Sequence, residues 1–250
     1  MAFTVRAFFR PCLMIGFPGR RGCSTRGTLI HPVHGRQRSW PFPWGEADMT
    51  SSQNAADLGS SRDLEERLVL TPPGDTARGY FFSCALEQVR LHGDEKALKR
   101  CLEVSGQDAF TAFFSYPISS LLRLLFCSAW SLKAPTEGFE DSLRHLGRHV
   151  ARHFRTNSVG RAMLVLAARS PKRLADSLTA TYPTGWGHGK GSVKWAGPQQ
   201  CIAYIHGNVI PYPYFEGIFL ELFEAAGATD LKVKGRQVRL ADTEYEISWG

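Results

Sequence analysis

Three histidines stand four residues apart: His145, His149 and His153. On a helix such residues share one face, and two imidazoles so placed can hold one metal ion, as in zinc sites. A metal centre also needs a carboxylate or a third ligand across from the pair, and the sequence shows none fixed there. The same stretch carries Arg144, Arg148, Arg152 and Arg155. The blander reading, three partly exposed histidines beside arginines on a solvated helix, is preferred, so no metal is expected at His145, His149 or His153.

A second stretch, Gly185-Trp-Gly-His-Gly-Lys-Gly191, invites comparison with a phosphate loop. A Walker loop needs Gly-Lys followed by Ser or Thr, with a strand before it and a helix after. Here Gly189-Lys190 runs into Gly191, and strand-like sequence follows. The stretch reads as a flexible loop whose Trp186 and His188 are placed to cover a pocket. No Gly-x-Ser-x-Gly elbow, His-Glu-x-x-His or kinase signature occurs. Acidic residues are plentiful, but sequence cannot pair two of them for acid–base work. No catalytic residue and no cofactor is assigned, and the balance leans against an enzyme.

The six cysteines (Cys12, Cys23, Cys84, Cys101, Cys127, Cys201) form no Cys-x-x-Cys pair. Wide spacing of this kind indicates reduced, buried thiols in a cytoplasmic protein, neither a disulfide framework nor a cysteine zinc site.

The elements that must position these residues occupy only part of the 250-residue chain. The net charge of +7 is located before residue 45, where seven arginines occur with no lysine and no acid. Removing those seven from the 30 bases leaves 23, matching the 23 acids of the remainder. A nucleic-acid partner would require clustered charge on the folded part, so none is expected. Residues 1–48 lack any helical or strand period. They read best as upstream sequence before a true start at Met49, with a basic arm or a targeting peptide as alternatives. Residues 49–75 read as a flexible lead-in and 76–250 as one domain. No apolar run approaches the ~20 residues of a membrane span, so no membrane partner is expected.

Within the body, a short strand is expected over Arg67–Thr71, then helices over Tyr80–Leu91, Asp94–Glu103 and Ile118–Trp130, the last apolar on most sides and therefore central. Glu137–Phe154 has an apolar stripe of Phe139, Leu143, Leu146, Val150 and Phe154, placing its arginines toward solvent. Helices over Val159–Ala168 and Lys172–Thr179 close this section. Strands are expected at Ser192–Trp195, Cys201–His206, Leu231–Lys234, Gln237–Leu240 and Tyr245–Trp249. An amphipathic helix over Tyr214–Ala226 separates the first two strands, read as a hairpin turning around Gly197-Pro198, from the later ones, with Phe219 buried and Glu216, Glu221 and Glu224 outside. The fold class is α+β: an N-terminal helical layer followed by an antiparallel ββαββ unit.

The run Leu146-Gly147-Arg148…Phe154-Arg155-Thr156…Gly160-Arg161 continues to Pro213-x-Phe215-x-Gly217, Ala225-Ala226-Gly227-Ala228 and Tyr245-x-Ile247-x-Trp249. In order and spacing these resemble a Myxococcales-restricted family of unknown function, about 200 residues long, over Leu64 to Gly250. The resemblance implies a fold plan similar to vinyl-reductase-type and haem-nitric-oxide-binding-type ligand domains. It carries no established activity, and the sequence lacks a Tyr-x-Ser-x-Arg motif of the kind used for haem propionates. The expected function is a non-enzymatic regulatory or sensor-like domain, with a small apolar ligand held between helices and sheet among the many phenylalanines. The alternative is a module that dimerises or docks on a protein partner without a ligand, and a small enzyme stands third.

Overall fold

The computed structural model describes residues 57–132, 138–156 and 170–250, all within one compact unit. The extension 1–48 and the helix expected over Val159–Ala168 lie outside the described residues.

Helix α1 (Ser61–Val69) begins where the Ser60 hydroxyl accepts the Asp63 amide, a standard N-cap. It replaces the strand expected from Arg67 and orders residues 57–70 of the supposed flexible lead-in. The reason is Arg67, which is buried. Its guanidinium pairs with Asp63 one turn earlier at 2.7 Å and donates to the Val209 carbonyl at 2.9 Å and to Gln237 at 2.6 Å. Only the helical i,i+4 spacing lets one side chain hold Asp63 while reaching the sheet.

Strand β1 (Thr76–Arg78) leads into α2 (Gly79–His92), followed by α3 (Glu95–Ser105), β2 (Ser115–Pro117), α4 (Ile118–Ser131) and α5 (Phe139–Thr156). β1 and β2 form an antiparallel ribbon with Ala77 opposite Tyr116; at three residues each, they are too short to show a period. α4 is the central helix, with Ile118, Leu121, Leu122, Leu124 and Leu125 fully buried. Helices α2, α3 and α5 pack around it.

Helix α6 (Pro171–Gly185) precedes β3 (Lys190–Gly197), β4 (Gln200–His206), α7 (Tyr212–Ala225), β5 (Lys232–Arg239) and β6 (Asp242–Ser248). The sheet is antiparallel in the order β3-β4-β6-β5. The two runs expected at Leu231–Lys234 and Gln237–Leu240 are one strand, β5, because Gly235 continues the ladder opposite Tyr245 instead of turning. Alternation puts Cys201, Ala203, Ile205, Tyr245 and Ile247 on the inner face, all buried. Phe219 of α7 meets the Tyr245 ring edge-on at 5.0 Å, and Phe223 meets Trp249 at 5.5 Å. Phe219 is buried as expected. Among the described residues no helix is long and apolar enough to cross a membrane.

Candidate functional site

Helix α5 places the histidine stripe against α2. The i,i+3 spacing of Cys84 and Glu87 gives these two residues the same side of α2, and that side faces His149 and His153. The Glu87 carboxylate lies 3.0 Å from His149 Nε2 and 3.8 Å from His153 Nδ1. Cys84 sits buried at the base. One ligand atom from each of Cys84, Glu87, His149 and His153 lies within 4.8 Å of the others. The facing carboxylate that the sequence left unassigned is therefore Glu87, contributed from 62 residues upstream.

Electrostatics follow from this arrangement. The hydrogen bond from His149, aided by the nearby imidazoles, holds the Glu87 carboxyl below the usual glutamate range. Burial, reinforced by the Glu87 charge, pushes the Cys84 thiol up to about 12. Gln88 supports the stripe from behind: its amide lies 3.0 Å from His149 Nδ1 and 2.7 Å from His145 Nε2. Partial burial, with the neighbouring His92, His149 and Arg152, lowers the pKa of the largely exposed His145. His145 points to Gln88 and not into the four-atom cluster. Tyr80 meets the His153 ring edge-on at 5.6 Å, and its hydroxyl donates to the Val150 carbonyl.

The other side of α5 corrects a sequence expectation. The arginines do not point to open solvent but along α7. Arg144 pairs with Glu216 at 2.8 Å and with Asp141; Arg148 with Glu224 at 2.7 Å; Arg152 with Glu221 at 2.9 Å; Arg155 with Glu221 at 3.4 Å. Glu216 and Glu221, expected outside, are 5% and 6% exposed, so both faces of α7 are covered. The cause is a glycine pair. A Cβ on Gly147 would strike the Tyr214 carbonyl oxygen, and one on Gly217 would strike the Arg144 carbonyl oxygen. The two backbones touch, leaving the long side chains to run outward along the crossing.

A third group lies at the joint of the two layers. The Gly-rich loop after α6 carries Trp186, which bridges to Ala77 of β1 and stacks on Phe81 of α2 at 4.4 Å and near Phe215 of α7 at 5.2 Å. His188 packs edge-on against Trp186. Its Nδ1 lies 3.3 Å from the Thr76 carbonyl, and its buried Nε2 has no hydrogen-bond partner. Beside them is a cleft of about 40 Å³ lined by Thr76, Ala77, Arg78, Ser115, Pro183, Gly185 and Gly187. The loop makes no phosphate cradle, since β3 follows it directly. Of the phenylalanines expected in the core, Phe113 and Phe114 are exposed, at 82% and 64%, because the segment between α3 and β2 turns them outward.

Helices wrapped on a central α4, followed by ββαββ, define an α+β fold of the H-NOX type. The unliganded iron(II) H-NOX protein of K. algicida, in a point-mutant form, superposes with a TM-score of 0.52 at 16% identity, covering 69% of this chain and 96% of that one. An oxygen-binding H-NOX domain related to soluble guanylate cyclases, in its oxygen complex, gives 0.50 at 10% identity, covering 69% and 94%. At such identities the likeness is one of fold. Over residues 70–250 the sequence matches the family described as a protein of unknown function (DUF2378), and the chain belongs to that family. No curated protein matches it.

Among the described residues, no space for the haem named for the H-NOX family is open between α7 and the sheet. Tyr214, Phe215, Phe219 and Tyr245 fill that space with their rings, and the cleft at the joint is far smaller than the ~300 Å³ and upward of ordinary ligand sites.

Proposed function

We propose that this chain is a non-enzymatic regulatory domain of the sensor type, taking a small, largely apolar ligand at the joint between helical layer and sheet. The observation that carries the reading is His188 Nε2: buried, without a partner, and set in a layer of rings formed by Phe81, Trp186 and Phe215. A buried polar atom left unpaired is costly, and a ligand with one donor or acceptor among apolar carbons would satisfy it while stacking on the rings. The cleft is too small for such a molecule with Trp186 in place, so entry requires Trp186 to swing. Gly185, Gly187 and Gly189 flank it and permit the movement. Displacing Trp186 loosens its contacts to β1, α2 and α7 together, which turns occupancy into a change between the layers.

The four described cysteines are free thiols, which suits the cytoplasm, and residues 1–48 are read as lying outside the domain. Native mass spectrometry of protein purified from its source tests the proposal. A bound small molecule, lost in Trp186→Ala and His188→Leu, is expected. A bare chain mass that also fails to bind apolar probes would sink it. The exposed Phe113 and Phe114 favour a second reading, a module that dimerises or docks through that segment. In that case Phe113→Ser/Phe114→Ser would alter the oligomeric mass.

A further inference from the structure

We propose that Cys84, Glu87, His149 and His153 bind one divalent transition-metal ion of the zinc class. The inference is independent of the ligand reading above, since the cluster lies between α2 and α5.

Spacing is the first support. Cys84 and Glu87 at i,i+3, and His149 and His153 at i,i+4, give each helix one face with two ligands, and the two faces meet. Ligands around a tetrahedral zinc ion sit about 3.5 Å from one another at bonds of 2.0–2.3 Å. The existing separations of 3.0 Å and 3.8 Å at Glu87 bracket that value, and all four atoms lie within 4.8 Å of one another. Closing around an ion requires side-chain adjustments and no movement of either helix.

The donor set is the second. A thiolate, two imidazoles and one carboxylate suit a borderline-soft ion, whereas calcium and magnesium take oxygen. One thiolate and one carboxylate neutralise a divalent charge, and neutral imidazoles complete four-coordination. Binding releases the Cys84 proton to solvent as the metal–sulfur bond forms, leaving no net charge beside the core. With four protein ligands no position remains open for substrate, which marks a structural or regulatory site. Glu87 and His153 are about half exposed, so an ion can enter and leave.

The surroundings are the third. Gln88 holds His149 Nδ1 from outside the cluster. Metal binding at Nε2 requires the imidazole proton on Nδ1, and the Gln88 amide accepts it by turning over, its NH2 then donating to His145 Nε2. Histidine ligands are commonly oriented by such an outer partner. Tyr80 against the His153 ring fixes the second imidazole.

The test uses the full chain, stripped by chelator and titrated with cobalt(II), then zinc(II). One equivalent of cobalt should give the intense visible bands of a four-coordinate ion with a thiolate charge-transfer band, and one equivalent of zinc should abolish both. Cys84→Ser should remove the charge-transfer band. His153→Ala, at a half-exposed position, should keep the fold and weaken binding more than tenfold. Gln88→Leu should keep the band and weaken binding roughly tenfold, while His145→Ala should leave stoichiometry and band unchanged. If Cys84→Ser fails to fold, the zinc-dependent rise in melting temperature of the wild type, absent in His153→Ala, gives the same answer. Absence of cobalt bands in the folded chain, or bands unchanged by both Cys84→Ser and His153→Ala, would overturn the assignment.

Discussion

The two sides of α5 differ in what holds them. Toward α7 the backbones touch at Gly147 and Gly217, and buried Glu216 and Glu221 are gripped by arginines. Toward α2 the contact is made by polar side chains: Glu87, Gln88, His145, His149 and His153. The first side depends on the absence of side chains at two positions and tolerates little change in separation. The second depends on adjustable side chains, which suits the metal ion we propose there. One helix thus combines a rigid joint with an adaptable one.

The comparison breaks most easily through α7. Phe219→Ala removes a ring packed on Tyr245 and should lower stability by about 4 kcal/mol in chemical denaturation. A small loss would mean that α7 is held by α5 alone. Gly217→Ala should cost about 3 kcal/mol, since the Arg144 carbonyl has no room to yield and helices must separate. A neutral result would show that the crossing is loose, and the contrast between the two sides would vanish.

Glu221→Ala sharpens the same contrast. From its sequence position a surface-like effect within half a kcal/mol would be expected, but the carboxylate is buried among Arg148, Arg152 and Arg155. We expect about 1–2 kcal/mol. This is less than for a fully buried pair because the arginines remain partly hydrated once the partner is gone. On the α2 side, His145→Gln should change stability by well under 1 kcal/mol, with solvent screening at an exposed residue, and only in a particular pH range. The folded-state pKa of His145 is depressed, so its contribution is present above the ordinary imidazole range and lost as pH falls below it. Denaturation midpoints followed from pH 7.5 to 5 should therefore decline slightly more steeply in wild type than in His145→Gln.

Much of the fold was legible in order. The apolar period of Phe139, Leu143, Leu146 and Val150 marks α5, Pro211 and Gly227 bracket α7, and alternation marks β4 and β6. Over α1 the sequence points to a strand instead, because Arg67, Leu68, Val69 and Leu70 look like one when the burial of Arg67 is unknown. The candidate site was half legible. His149 and His153 could be placed on one face by counting residues, whereas Cys84 and Glu87 carried no signal linking them to that face. Trp186 and His188 could be singled out as loop residues placed over a pocket, but nothing local showed that His188 Nε2 would be buried.

The sequence alone determined helices α2 to α7 and strands β4 and β6 as elements, because periodicity and capping act within a few residues. It also determined that a glycine stands at 147 and another at 217. Only the tertiary structure decided that these two glycines meet, that the charges on α5 and α7 are partners instead of solvated faces, and that a cysteine and a glutamate from α2 complete a histidine pair. Charge and small size are properties of a residue, but a partner is a property of the packing. When two helices come close enough for their backbones to touch, the burial of every side chain along the crossing is set by its neighbour across the gap.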